Sequence, residues 1–211
     1  MNNLDLSNDY YRKLLEFVVP EIKDIQKPNI LEFGVRKAIS TSIFLEICNK
    51  NDGKLFSNDI DDYSNLFTDN SWKFIHCRDD NYEEIERHIP DKLDLIYLDS
   101  YHEPNHVEKI FRYYYPKIKI GGLYIIDDVC WLPYVSGNYR DNFGCEMANL
   151  ETFNRLNQIY YKNFENFDLE FSFVGSGLAK IKKKNNNKLL ETVKIPNRYY
   201  SFKNFIKKLI S

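Results

Sequence analysis

Short apolar runs alternate with segments of helical periodicity along most of this chain, and this alternation constrains its fold more than any other feature. The apolar runs have the length and the β-branched or aromatic content of buried strands: NILEFGV, KLFSNDI, WKFIHC, LDLIYLD and LYIIDDV. Between them lie the segments with helical spacing: SIFLEICNK, DDYSNLF, YEEIERHI and VEKIFRYYYPKI. Strands that alternate with helices are joined by right-handed crossovers, which make the sheet parallel. The alternation therefore predicts an α/β fold of the doubly wound, Rossmann-like class.

The two ends of the chain depart from this alternation. Residues 9–25 have apolar side chains at helical spacing and Pro28 stops the pattern, which predicts a leading amphipathic helix. After a helix over residues 145–161, the segment DLEFSFVGSGLAKIKKK contains two β-rich runs separated by Gly-Ser-Gly, which predicts a hairpin. This hairpin adds one antiparallel strand to a mostly parallel sheet. The final YYSFKNFIKKLIS predicts another amphipathic helix.

These patterns divide the chain into three parts. Residues 1–28 form an N-terminal helical segment, and residues 29–183 form the main domain. Residues 184–211 form a C-terminal extension that we expect to pack on the same domain.

Composition limits the class of protein. The 211 residues are 43% hydrophobic and 28% charged, which is ordinary globular usage for about one domain. The net charge of -2 is spread along the chain, so nothing favours nucleic acid or an anionic membrane as a partner. The first residues lack the features of a signal peptide, and the four cysteines lack disulfide or zinc spacing. We therefore expect a cytoplasmic protein with reduced thiols. The sequence does not determine the oligomeric state, and a homo-oligomer is possible.

Residues that directly follow the predicted strands are the first candidates for a site. In an open parallel sheet, ligands bind outside the carboxyl ends of the strands, where the strand order reverses. The residues at these ends are Gly34, Asp59, Asp99, Asp127 and Asp128. Most of these residues are acidic, which indicates a ligand with hydroxyl groups or positive charge.

The first two of these positions are typical of a nucleoside site. Gly34 permits close backbone approach, and the helix start beyond it offers free N–H groups. Asp59, on the next strand, has the spacing at which an acidic side chain accepts hydrogen bonds from both ribose hydroxyls. The alternative is that Asp59 or Asp61 caps the following helix. A nicotinamide cofactor is disfavoured because the chain has no G-x-G-x-x-G motif.

The three later carboxylates predict a cation site. Asp99, Asp127 and Asp128 end strands that should be neighbours, and neighbouring strands lie about 4.8 Å apart. Such a cluster is unfavourable unless it is solvated, protonated or bound to a cation, and carboxylate oxygens suit Mg²⁺ or another divalent ion. The alternative is that Asp99 caps a helix and Asp128 is a turn residue.

An ordered set of segments resembles class I S-adenosylmethionine-dependent methyltransferases, most closely the macrocin O-methyltransferase-like group and more remotely catechol O-methyltransferase. The segments are ILEFGVRKAIST, LFSNDID, LDLIYLDSYHEPNHVEKIFRYYYPKIKIGGLYIIDDV and FSFVGSGLAKI, and the resemblance covers about residues 29–183. The central block is the part of the resemblance that is more specific to the family. It runs from the Asp after one predicted strand to the Asp-Asp pair after the following strand. The first loop departs from the group, since Ala38 stands where a second glycine is usual.

The resemblance implies S-adenosylmethionine as the cofactor and a role for each candidate residue. Glu32 and Gly34 would lie at the methionine end, Asp59 at the ribose, and Asp79 or Asp80 at the adenine, and Ser40 would also bind the cofactor. Asp99 would border the cofactor and the reacting groups, and Asp99, Asp127 and Asp128 would be the ligands of Mg²⁺ or another divalent cation. His102, three residues after Asp99, would be the catalytic base, although a lone histidine on a loop is often a simple surface residue. We interpret His76, His88 and His106 as ordinary residues.

These roles predict an O-methyltransferase, assisted by a divalent metal, that acts on a hydroxyl group of a sugar, a glycan or a small natural product. The acceptor partner would thus be a small molecule or a carbohydrate. One alternative is a metal-independent methyltransferase. The other is a module that binds the cofactor without catalysis, because a fold does not fix a function.

Overall fold

The computed structural model describes residues 8–132, 143–195 and 201–210, and it confirms the predicted Rossmann-like α/β fold. The strands are β1 (Asn29–Phe33), β2 (Lys54–Asp59), β3 (Trp72–His76), β4 (Leu93–Leu98), β5 (Ile118–Asp127), β6 (Phe167–Ser172) and β7 (Leu178–Lys183). The helices are α1 (Asp9–Phe17), α2 (Val19–Ile22), α3 (Ile39–Lys50), α4 (Tyr82–Glu86), α5 (Pro104–Tyr114), α6 (Phe143–Asn163) and α7 (Phe202–Ile210). A short 3-10 helix, Tyr115–Lys117, precedes β5.

The sheet has seven strands in the order β3-β2-β1-β4-β5-β7-β6. Neighbours among β1 to β5 pair in parallel, whereas β7 pairs antiparallel with both β5 and β6. The predicted hairpin therefore supplies one strand that runs against the others. The strand order reverses between β1 and β4, and this places the crevice for a ligand at their carboxyl ends.

Apolar side chains cover the sheet on both faces. All six residues of β4 are buried, as a central parallel strand with helices on both sides requires. Leu31 of β1 packs on the face covered by α5 and α6, whereas Ile30 packs on the face covered by α1, α2 and α3. A fully buried Leu, Ile or Phe contributes roughly 1.5–3 kcal/mol, so these two faces hold the carboxyl ends of the strands in fixed positions.

The leading helix is shorter than its periodicity predicts. The predicted helix over residues 9–25 is broken into α1 and α2 at Val18, and Pro20 lies in the first turn of α2. The break follows from Pro20, because proline lacks the N–H group that would continue the hydrogen bonding of α1 and its ring clashes with the carbonyl four residues earlier. The N-terminal segment nevertheless packs on the sheet through buried residues that include Leu14 and Ile22.

Two local predictions were wrong. The segment DDYSNLF forms turns and bends, not a helix, because its polar residues make local turns such as the hydrogen bond from the Ser64 N–H to Asp62. The sequence pattern also predicts Ser40 and Thr41 as caps of the helix in SIFLEICNK, but both lie inside the first turn of α3. The N-cap residue is Ala38, in a left-handed conformation (φ +55°) that a glycine would adopt more readily.

The C-terminal extension is partly packed on the domain. Leu189 packs against the core, and Arg112 of α5 donates hydrogen bonds to the Leu190 carbonyl and the Thr192 hydroxyl. In contrast, α7 has no buried side chain, so the packing expected of residues 184–211 is seen for its first part only. None of the helices in the described part of the chain is long and apolar enough to cross a membrane.

Candidate active site

A cleft of about 600 Å³ opens at the carboxyl ends of β1, β2 and β4. This volume is in the range of small-molecule sites, and the cleft lies where the strand order reverses. Its lining residues are Gly34, Arg36, Asn58, Asp59, Ile60, Asp61, Arg78, Asp79, Asp99, Ser100 and Tyr101. Four of the residues predicted to contact a cofactor are in this lining: Gly34, Asp59, Asp79 and Asp99.

Gly34 lies where the loop after β1 crosses the end of β4. Its φ is +95°, and a Cβ atom placed on it would lie 2.0 Å from the carbonyl oxygen of Asp99. The Gly34 N–H donates to the Asn58 carbonyl at 2.8 Å. The close approach of these two segments of the chain therefore requires a glycine at this position. A ligand depends on the glycine only indirectly, because this approach shapes the loop.

Asp59 stabilises the same loop through hydrogen bonds to its backbone. Its Oδ2 accepts a hydrogen bond from the Val35 N–H at 2.7 Å, and its Oδ1 accepts from the Asp61 N–H at 3.0 Å. The alternative role as a helix cap is excluded because residues 61–67 are not helical. A carboxylate has about four acceptor positions, so Asp59 retains capacity for a ligand hydroxyl.

Asp79 faces the cleft at the position predicted for the adenine, whereas Asp80 lies outside the lining. Asp79 is buried and contacts Nε2 of His106 at 2.8 Å, and it accepts a hydrogen bond from the Ser100 hydroxyl. Asp80 instead pairs with Arg78 at 3.0 Å. His106, interpreted from the sequence as an ordinary residue, therefore orients the carboxylate that borders the cleft.

Glu32 and Ser40 lie beneath the loop, outside the lining of the cleft. Glu32 is fully buried and accepts hydrogen bonds from the hydroxyls of Ser40 (2.6 Å) and Ser57 (2.7 Å). Burial raises the pKa of Glu32 to about 7, against the effect of these hydrogen bonds. The structure thus brings Glu32 and Ser40 together, although neither is in the lining of the cleft.

Several lining residues were not predicted from the sequence. Tyr101 and Ile60 are each 62% exposed, and the ring of Tyr101 contacts that of His106 edge to face, 5.4 Å between centroids. Large apolar side chains exposed beside a cleft are typical of a surface that receives a flat ring. Their positions in the sequence could have indicated both residues. Ile60 directly follows Asp59, and Tyr101 is two residues after Asp99.

The carboxylate cluster, which we define as Asp99, Asp127 and Asp128, forms around His102 as the strand ends predict. His102 Nε2 lies 3.4 Å from Asp99 Oδ1 and 3.5 Å from Asp128 Oδ2. Although burial favours the neutral ring, the hydrogen bond with Asp99 and the charge of Asp128 raise the pKa of His102. Burial and the nearby charge of Asp127 raise the pKa of Asp99 to about 6. Asp99 joins the two parts of the site, because it also lines the cleft.

Asp127, the central member of the cluster, is already saturated with donors. Its Oδ1 forms a buried ion pair with Lys13 of α1 and accepts from the Ser176 hydroxyl at 3.0 Å and the Asp128 N–H at 2.6 Å. Its Oδ2 accepts from the Tyr97 hydroxyl at 2.6 Å. Burial opposes ionisation, but the charge of Lys13 and these donors hold the pKa of Asp127 below its usual value.

This arrangement does not fit the predicted metal site. The ammonium group of Lys13 is the charge partner of Asp127, so a metal ion would have to displace the donors at Oδ1 or compete with the Tyr97 hydroxyl at Oδ2. Asp99 Oδ2 accepts a hydrogen bond from the Tyr10 hydroxyl at 2.6 Å, and its other oxygen faces His102. Within residues 8–132, 143–195 and 201–210, no group of three or more His, Cys, Asp or Glu side chains could hold a metal ion.

Comparison with known proteins gives one family and a set of similar structures. Residues 31–129 match the model of a methyltransferase domain family. A search of curated sequences gave no match. Many solved structures are similar, and three of them, of two proteins, are relevant here.

The first is MycE methyltransferase from the mycinamycin biosynthetic pathway, in complex with Mg and S-adenosylhomocysteine. It is 21% identical, with a TM-score of 0.60 over 87% of this chain and 54% of that chain. A second MycE complex also contains mycinamycin VI, at 23% identity and a TM-score of 0.59 over 89% of this chain and 56% of that chain. Our chain thus spans about half the length of MycE.

The second is the S-adenosylhomocysteine-bound methyltransferase PaMTH1 of Podospora anserina. It is 15% identical, with a TM-score of 0.59 over 75% of this chain and 72% of that chain. At these identities the similarity establishes the fold, which is the one that the sheet order shows.

Proposed function

We propose that this chain, whose residues 31–129 match the model of a methyltransferase domain family, is an S-adenosylmethionine-dependent O-methyltransferase with the class I fold. The observation that carries the proposal is the cleft at the strand reversal, with Asp59 at the end of β2 and Asp99 at the end of β4. S-adenosylmethionine supplies an activated methyl group, so the protein has to orient an acceptor oxygen and remove its proton.

The lining of the cleft supports a position for each part of the cofactor. We assign the ribose hydroxyls to Asp59, which is held by the loop N–H groups and has acceptor capacity left. Asp79, oriented by His106, and the exposed ring of Tyr101 would bind the adenine. The methionine end would lie by Gly34, with Glu32 and Ser40 supporting the loop from beneath.

His102 is the proposed base. It lies between Asp99 and Asp128, and these two carboxylates stabilise the imidazolium that it would become after it accepts the proton of the acceptor hydroxyl. Asp99 borders both the cleft and His102, so it would position the base relative to the methyl group. His102 must be neutral to accept a proton. Because the pKa of His102 is raised above its usual value of about 6.5, we expect turnover to increase with pH in a range that lies above pH 6.5.

In this proposal a divalent ion has no part in the reaction. Magnesium accompanies MycE, but the saturated Asp127 and its pairing with Lys13 favour the metal-independent alternative in this chain. The acceptor that we propose is a hydroxyl group of a sugar, a glycan or a small natural product. The fold shared with MycE, which was solved with mycinamycin VI, supports this choice.

Binding of S-adenosylhomocysteine tests the proposal directly. We expect both S-adenosylhomocysteine and S-adenosylmethionine to raise the melting temperature, because a ligand that binds only the folded state stabilises it by mass action. At a ligand concentration of 100 times Kd the gain is about 2.7 kcal/mol. Differential scanning fluorimetry measures it, and NAD is the control that should give no shift. A shift with NAD and none with either methionine nucleoside would rule out the methyltransferase proposal.

Asp59→Ala should weaken the binding of S-adenosylhomocysteine. It removes a charge-assisted contact worth roughly 1.5–3 kcal/mol, which corresponds to about tenfold or more in Kd. Isothermal titration calorimetry gives the Kd, and Asp62→Ala is the matched control, since Asp62 is exposed and outside the lining of the cleft. An equal Kd for the wild type and Asp59→Ala would show that Asp59 serves only the loop.

A further inference from the structure

Lys13 is a fully buried cation at the candidate site, and its role was not predicted from the sequence. Its side chain is 0% exposed and that of Asp127 is 1% exposed. Burial of a charged group is unfavourable unless it is paired and hydrogen-bonded. A buried lysine at this place therefore needs a specific partner, and the partner is the carboxylate cluster.

The surroundings of Lys13 satisfy the ammonium group. It pairs with Asp127, donates to the Ser176 hydroxyl at 2.6 Å, and lies 4.5 Å from the centre of the Tyr10 ring. Tyr10, one turn earlier on α1, donates in turn to Asp99. Helix α1 thus reaches two members of the carboxylate cluster with two side chains on one face.

The position of Lys13 is the one that a cation would need. Three carboxylates that converge in a buried site repel one another unless positive charge lies among them. His102 lies between Asp99 and Asp128, whereas Asp127 has Lys13 as its partner. A divalent ion bound to Asp127 would have to displace the ammonium group and the hydroxyl donors around it.

We propose that the Lys13 ammonium group is a built-in counter-ion that takes the place of a divalent cation in the carboxylate cluster. It is a positioning residue: it neutralises Asp127 and so maintains the cluster that orients His102. The inference rests on the proposed function for its catalytic meaning, but its central statement concerns cation binding alone. The wild type should therefore not bind a divalent ion at this site, and removal of the ammonium group should create such a site.

Titration of Mn²⁺ into this 211-residue protein without cofactor tests this statement. We compare the wild type with Lys13→Met, and free Mn²⁺ is followed by electron paramagnetic resonance. Lys13→Met should bind one Mn²⁺ at least about tenfold more tightly than the wild type, because the loss of a neighbouring positive charge strengthens the attraction of the cluster for a dication. Its melting temperature should rise with Mn²⁺, and that of the wild type should not.

Two further variants make the result specific. Lys119→Met is the matched control, because Lys119 pairs with Asp94 at 2.8 Å, away from the cluster, and should bind Mn²⁺ no better than the wild type. The double variant Lys13→Met/Asp127→Asn should lose the Mn²⁺ site again. If Lys13→Met does not fold, Lys13→Gln replaces it, since a glutamine amide still donates to Asp127 without charge.

The wild type alone can overturn the proposal. Saturable binding of Mn²⁺ by the wild type that Asp127→Asn abolishes would show that the cluster is a metal site in spite of Lys13. Equal affinities in the wild type and Lys13→Met, or no binding by either, would show that the ammonium group does not take the place of a divalent cation. S-adenosylhomocysteine binding, measured on the same preparations, separates the two proposals: its absence contradicts the proposed function, whereas the Mn²⁺ results decide the role of Lys13.

Discussion

His102→Ala should lower the rate of methyl transfer by roughly 10²–10⁴-fold, the usual contribution of a general base. The Kd of S-adenosylhomocysteine should stay the same, because His102 lies outside the lining of the cleft. A loss in kcat with unchanged cofactor binding indicates an interaction made in the transition state only. Single-turnover rates with an acceptor found by screening, together with calorimetry, give both quantities.

His88→Ala is the matched control for this variant. His88 has the same side-chain exposure as His102, 29%, and also contacts a carboxylate, that of Glu84 at 2.9 Å. It lies on the segment after α4 and should be dispensable. If His102→Ala retains the rate of the wild type, the base is another group. If the wild type binds the cofactor but transfers no methyl group to any acceptor, the chain is a cofactor-binding module without catalysis.

Gly34→Ala should have the largest effect on stability, about 2–5 kcal/mol, because the strain of a positive φ adds to the overpacking of a close contact. The added Cβ would meet the Asp99 carbonyl at 2.0 Å, and relief of the clash would part the loop from β4 and disrupt the cleft. Urea denaturation gives the free energy of unfolding, and titration with S-adenosylhomocysteine should show loss of binding.

Gly121→Ala separates the two causes. Gly121 also has a positive φ, +81°, but an added Cβ would meet no atom within 4 Å, so only the backbone strain of about 1–2 kcal/mol remains. A clearly larger loss for Gly34→Ala is expected. Equal losses for the two variants would contradict the close approach of the loop to Asp99.

The sequence predicted the sheet well because each strand carries its own signal. A central strand such as β4 is a continuous apolar run, and the polar residues that follow it mark its carboxyl end. The ends of parallel strands meet at one edge, so Gly34, Asp59 and Asp99 could be placed together before any contact was known. Their convergence in one cleft follows from topology alone.

The site residues that were missed have a common cause, which is dependence on tertiary contacts. Lys13 is next to Leu14 on an amphipathic helix, and nothing local distinguishes it from a solvated lysine. Its partner Asp127 is 114 positions further along the chain. His106 likewise looked ordinary, since its contact with Asp79 depends on how α5 packs against the segment after β3. The metal-site prediction counted three carboxylates without the lysine that pairs with Asp127.

A structure of the protein with S-adenosylhomocysteine bound is the most direct test of the central claim, which is that the cleft between β1 and β4 is the site of methyl transfer. Our account predicts the ribose hydroxyls within hydrogen-bond distance of Asp59, the adenine beside Asp79 and Tyr101, and the sulfur directed towards Asp99 and His102. A nucleoside bound away from this cleft, or no bound ligand at saturating concentration, would contradict it.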